Sequence, residues 1–142
     1  MPILNYTTSI SAEKTAGEVN RILAKSRVAS TSTHYDATGQ PEGVSFVLNT
    51  PHGPREFRLP VNVDGVHAIM KADRSLTPKM RERDHAAKVA WRIAKDWVEV
   101  QLALVAAGMV TIDEVMLPYL LTPNGNTVYG NYKEREQSAL EA

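Results

Sequence analysis

A chain of 142 residues, 43% hydrophobic and 23% charged, has the size and make-up of one folded domain and is not a disordered polymer. Its 16 basic and 16 acidic side chains cancel, so any affinity for nucleic acid must come from a local patch rather than from net charge. There is no cysteine, which excludes disulfides, thiolate metal sites and a cysteine nucleophile.

The N terminus, Met-Pro-Ile-Leu-Asn, lacks the basic and apolar regions of a signal peptide, and no apolar run reaches membrane-spanning length. A soluble cytoplasmic protein is the expectation. Residues 3–10 alternate weakly and are rich in Thr, which suggests a short strand or an extended arm. Ser11 then offers a helix cap, and Ala12, Ala16, Val19 and Leu23 recur at helical spacing up to about Lys25. Lys14, Glu18, Arg21 and Lys25 form the opposite face, read as solvated.

Three strands follow. The first, over residues 28–35, is β-branched and hydroxyl-rich. Turn chemistry from Asp36 to Gly43 leads to a strand whose buried face is Val44, Phe46 and Leu48; Pro51-His52-Gly53-Pro54 then turns the chain into a third strand marked by Phe57 and Leu59. Such short links predict an antiparallel meander, with Ser45, Asn49, Glu56 and Arg58 on a wet face. The run Ser30-Thr31-Ser32-Thr33, polar on both faces, fits an edge strand, and an edge invites pairing with another chain. Homo-oligomerisation is therefore expected.

Pro60 closes the sheet and Asn62 caps a short helix with Val63, Val66 and Met70 inward. Thr77-Pro78 is a start signal for the longest helix, which should run to about Ala107 and stop at Gly108. Thr111 and Glu114 form a capping box, with Val110 placed to staple against Val115, and Pro118 should end or kink that helix. Beyond the Pro123-Asn124-Gly125-Asn126 turn, Val128-Tyr129 suggests a short strand. The charged segment from Lys133 reads as a frayed tail. The fold class expected is α+β: a small antiparallel β-meander packed against a long C-terminal helix plus shorter helices. It forms a single domain over residues 1–132, with a tail at 133–142.

The long helix is apolar over most of its circumference, so it should be covered from more than one side. What remains is basic. At helical spacing Arg81, His85, Lys88, Arg92 and Lys95 fall within about 40° of one line, with Trp91 beside them. A row of cations bordered by an indole can bind phosphates and stack a base, which makes these six residues the candidate ligand-binding set. The competing reading is a solvated face paired with Asp84, Asp96, Glu99 or acids of a second subunit.

Catalytic chemistry is not indicated. His34, His52, His67 and His85 are scattered and none pairs at metal-ligand spacing on one helix. No nucleophile elbow, phosphate loop or dinucleotide fingerprint occurs, and Asp113-Glu114, Glu82 and Asp84 are accounted for by helix starts. No cofactor is implied, and a small enzyme using His85 is the weakest reading.

Several segments also resemble a group of small proteins encoded by phages, prophages and other mobile elements of Gram-positive bacteria. They are Asn5-Tyr6-Thr7-Thr8-Ser9-Ile10, Glu13-Lys14-Thr15, Phe57-Arg58-Leu59-Pro60, the block at 90–99, Gly108-Met109-Val110 and residues 114–119. The resemblance covers nearly all the chain up to Tyr119. It implies a non-enzymatic accessory protein of the host cytoplasm that binds a host or phage macromolecule, either a protein or a nucleic acid.

Overall fold

Ser11 begins the first helix as its position demands. In the computed structural model, which describes residues 1–141, its Oγ accepts the Lys14 N–H at 3.1 Å, and helix α1 runs over Ala12–Lys25. Three strands follow, β1 (Ser30–Tyr35), β2 (Pro41–Thr50) and β3 (Gly53–Pro60), in an antiparallel sheet ordered β1-β2-β3. Next come α2 (Val63–Ala72), the long α3 (Arg83–Ala106), the short α4 (Ile112–Met116) and α5 (Val128–Glu141). The fold is α+β.

The meander buries Val44, Phe46, Leu48, Phe57 and Leu59 on one face, with the Phe46 and Phe57 rings stacked at 5.2 Å. That face shares a core with Ala16, Val19 and Leu23 of α1 and with Ala87, Ala90, Trp91, Val98 and Leu102 of α3. A second cluster joins Met70 of α2 to Leu76, Ala86 and Val89, and Ile3 and Tyr6 of the N-terminal arm pack on it. The arm is not a strand: residues 4–7 turn, with Asn5 at φ 65°, and the segment lies against α3.

Helix ends follow local chemistry. Asn62 caps α2 by accepting Gly65 N–H at 2.9 Å, and the Thr111–Glu114 capping box closes in both directions. Gly108, at φ 76°, ends α3: its N–H reaches Val105 C=O and Met109 N–H reaches Leu104 C=O, both at 3.0 Å. Helix α4 stops at Met116 before Pro118, and a single 3-10 turn, Leu117–Tyr119, follows.

Three local expectations change. Thr77-Pro78 opens a 3-10 turn, Lys79–Arg81, and not the long helix, because Glu82 is extended at ψ 153° and α3 starts only at Arg83. Val128 and Tyr129 form the first turn of α5 and not a strand. Thr127 caps that helix by accepting Gly130 N–H at 3.0 Å, and helix continues through the charged residues to Glu141. Ser45 is not on a wet face: it is 4% exposed, covered by Ser32 and His34. Among the described residues no helix is long and apolar enough to cross a membrane.

Candidate functional site

The six residues singled out on the long helix come to different ends. Trp91 is fully buried, and its Nε1–H donates to Pro41 C=O at 2.9 Å. Its ring belongs to the core and offers no face to a base, which corrects its assignment as a stacking residue. The apolar residues on both sides of the indole outweigh the polar stripe beside it, a balance that a helical wheel drawn for α3 alone does not show. Arg81 lies outside α3, in the preceding 3-10 turn, where its carbonyl accepts the His67 Nε2–H at 3.1 Å.

The remaining cations stay in line but are covered. His85 donates from Nε2 to the Tyr6 carbonyl of the N-terminal arm at 2.5 Å. Arg92 reaches across to α1, pairing with Glu18 at 2.6 Å and touching Thr15 Oγ1 at 3.4 Å, so Glu18 is part of a helix–helix contact and not of a solvated face. Lys95 pairs with Glu99 at 2.5 Å, one turn on along the same helix. Asn5 of the arm donates to Asp96 at 2.8 Å, closing the same flank. Lys88 is half-buried, with no ion-pair partner among the described residues. Helix α1 and the arm thus occupy most of the surface that a phosphate backbone would need.

A wider opening lies elsewhere, at the end of the sheet where β3 runs into α2. A cleft of about 760 Å³ is bounded there by His34, Glu42, Arg58, Asn62, Asp64, Arg83, Tyr129 and Lys133. Strand β3 places Arg58 because its neighbours Phe57 and Leu59 face the core. Arg83 comes from the first turn of α3, while Tyr129 and Lys133 come from α5. Across residues 59–62 lies an apolar groove of about 310 Å³, floored by Val66, Ile93, Ala94, Trp97 and Tyr119. Trp97 and Tyr119 meet edge to face at 5.8 Å and are only half-buried. Leu59, Pro60, Val61 and Asn62 line both openings, so one short stretch of chain is the wall between them.

The charges in the cleft are unequally engaged. Arg83 pairs with Asp64, but both side chains are well exposed, so the pair contributes little. Asp36 accepts from Thr38 Oγ1 and from the Thr38 and Gln40 N–H groups; the Thr38 hydroxyl first, and then the Gln40 amide, hold its carboxyl below the usual range. Arg58, Lys133, Glu42 and Asp36 have no ion-pair partner among the described residues, so the cleft offers two unpaired cations and two unpaired carboxylates.

The hydroxyl–imidazole contact nearby, His34 Nε2 to Ser45 Oγ at 2.7 Å, has the form of a nucleophile and its base. Ser45 is nevertheless buried and also bonded to Ser32 Oγ at 3.0 Å, so the pair satisfies polar groups on the sheet and does not present an attacking oxygen. Among the described residues His, Asp and Glu nowhere gather closely enough to hold a metal ion. Sequence reasoning put Arg58 on the wet face of the sheet and Lys133 in a tail, and singled out neither for binding. The one available signal was the junction itself, Arg58 followed by a strand-ending Pro60 and a helix-capping Asn62.

No protein family, curated protein or solved structure matches this chain.

Proposed function

We propose that this chain is a non-enzymatic binding protein that takes a segment of a protein partner across residues 59–62. The observation that carries this reading is the common wall: a polar cleft with unpaired Arg58 and Lys133 adjoins an apolar groove floored by Trp97 and Tyr119. A small-molecule pocket encloses most of its ligand. Here Arg58, Pro60, Asn62, Tyr129 and Lys133 are all exposed, which suits an extended segment lying along the surface. An apolar side chain would enter the groove while polar groups meet the cleft, the division between buried anchor and polar rim found at protein interfaces. By the resemblance to mobile-element proteins, the partner would be a host or phage protein in the host cytoplasm.

Nucleic-acid binding through the long helix is the less supported reading, because Arg92, Lys95 and His85 already have partners inside the fold. The test is affinity purification of the intact chain from cells, comparing wild type with Arg58→Glu and Trp97→Ala, and with Lys88→Glu as control. The expected result is a protein that co-purifies with wild type and Lys88→Glu and is lost from the other two. Nucleic acid lost only from Lys88→Glu, with strong salt dependence, would overturn the proposal in favour of the stripe.

A further inference from the structure

Strand β1 is the open edge of the sheet, and the ladder fixes which of its groups face outward. Val61 N–H donates to Glu42 C=O at 2.9 Å, in register with the Gly43–Pro60 and Val44–Leu59 pairs. Bonding alternates along an antiparallel pair, so the even-numbered residues of β2 bond to β3 and the odd-numbered ones bond to β1. Leu121 N–H reaching the outward carbonyl of Glu56 at 2.9 Å agrees with that phase. The partners of Val47, Ser45 and Gly43 on β1 are Ser30, Ser32 and His34. Thr31 and Thr33 must therefore direct their N–H and C=O groups away from the sheet, and those groups have no backbone partner among the described residues.

Nothing guards this edge. Between Ser30 and Thr33 there is no charge, no proline and no bulge; the register shift comes only between His34 and Tyr35. The Thr31 and Thr33 hydroxyls are held by Asn20 of α1 at 2.5 and 2.7 Å, which ties the strand to that helix.

Helix α1 supplies the second observation. It rests on both β1 and β2, so it sits inboard of the edge. Its flank toward the edge, marked by Asn20 and by Glu13 (which accepts the Tyr35 hydroxyl at 3.3 Å), also carries Gly17 and Ala24. Both are exposed, and a Cβ built at Gly17 would meet nothing within 4 Å.

We propose that this edge and flank form a twofold interface between two copies of the chain. Antiparallel pairing centred on Ser32 sets Thr31 opposite Thr33 of the second copy and makes four backbone hydrogen bonds, joining the two sheets into one of six strands. The two α1 helices then lie two strand spacings apart, about 10 Å, which is the contact distance of packed helices. Gly17 and Ala24 are the small residues such a contact requires. The cleft at residues 59–62 meets β1 only at His34, beyond the Thr31–Thr33 pairing at the centre of this interface.

The experiment is light scattering and native mass spectrometry of the full chain, with amide exchange followed at Thr31 and Thr33. Wild type should be a dimer with both amides protected. Gly17→Arg fills open space in the protomer, so it should keep the fold, give a monomer and release both amides. Thr33→Pro removes an outward N–H but no bond to β2, and should weaken dimerisation roughly 30- to 100-fold. A wild type monomeric up to its solubility limit overturns the proposal, as does a dimer that survives both substitutions with Thr31 and Thr33 unprotected.

Discussion

Two sets of cations in this protein contrast sharply. On α3, His85, Lys88, Arg92 and Lys95 stand in a row that looks designed for an anion, yet His85 is bonded to the N-terminal arm, Arg92 to α1 and Lys95 to Glu99 of the same helix. Of the four, Lys88 alone has no ion-pair partner among the described residues. At the end of the sheet, Arg58 and Lys133 come from segments far apart in sequence, share one cleft, and have no ion-pair partner among the described residues. A periodic charge pattern thus shows only that a helix has a polar side. Whether that side meets solvent, a ligand or another helix depends on what the rest of the chain lays over it.

The strongest way to break the comparison is at Trp91. If its ring fills the core, Trp91→Ala should lose about 3–5 kcal/mol of stability, read by urea unfolding. A loss under about 1 kcal/mol would mean the indole is exposed and the stripe is a surface after all. Arg58→Ala should do the reverse, weakening partner binding at least about tenfold while stability stays within about 0.5 kcal/mol of wild type. The Arg92–Glu18 pair is only partly exposed, at 17% and 23% of the two side chains. A double-mutant cycle with Arg92→Ala and Glu18→Ala should give a coupling of about 1 kcal/mol, and none if the stripe is free in solution.

The smallest effect concerns acid. The Asp36 and Asp73 carboxyls are both held below the usual range, Asp36 chiefly by the Thr38 hydroxyl and Asp73 chiefly by the Ser75 hydroxyl. Their lowered folded-state pKa means that each adds stability at neutral pH. That contribution is lost as pH falls from the unfolded carboxylate range through the folded pKa. Carboxyl NMR titration should place both midpoints below ordinary aspartates, and Asp36→Asn should flatten the acid limb of the stability curve slightly.

Local rules carried far into the fold. The caps at Ser11, Asn62 and Thr111, the stop at Gly108, the alternation of Val44, Phe46 and Leu48, and the three-strand meander could all be read from residues within a few positions of each other. They depend on hydrogen bonds and periodicities that close within one element. The α+β class follows from the same signals. What local rules misjudged lay where two segments compete. Thr77-Pro78 had the chemistry of a helix start but was used for a 3-10 turn held by His67, and Thr127 was overlooked as the cap of α5.

The binding surface was barely legible. Arg58, Trp97, Tyr119 and Lys133 are spread over 76 positions of the chain and sit on four different elements or turns, so no spacing rule links them. The sequence by itself determined the elements, their capping and the set of apolar residues available for burial, because those depend on the chain's neighbours along its own length. Only the tertiary structure decided which polar residues stayed free. Burying Trp91 and laying α1 and the arm over α3 engaged Arg92 and His85 of one row of charge, while the end of β3 was left uncovered. A side chain's exposure is fixed by segments that reach it through space, and that information is not local to any stretch of sequence.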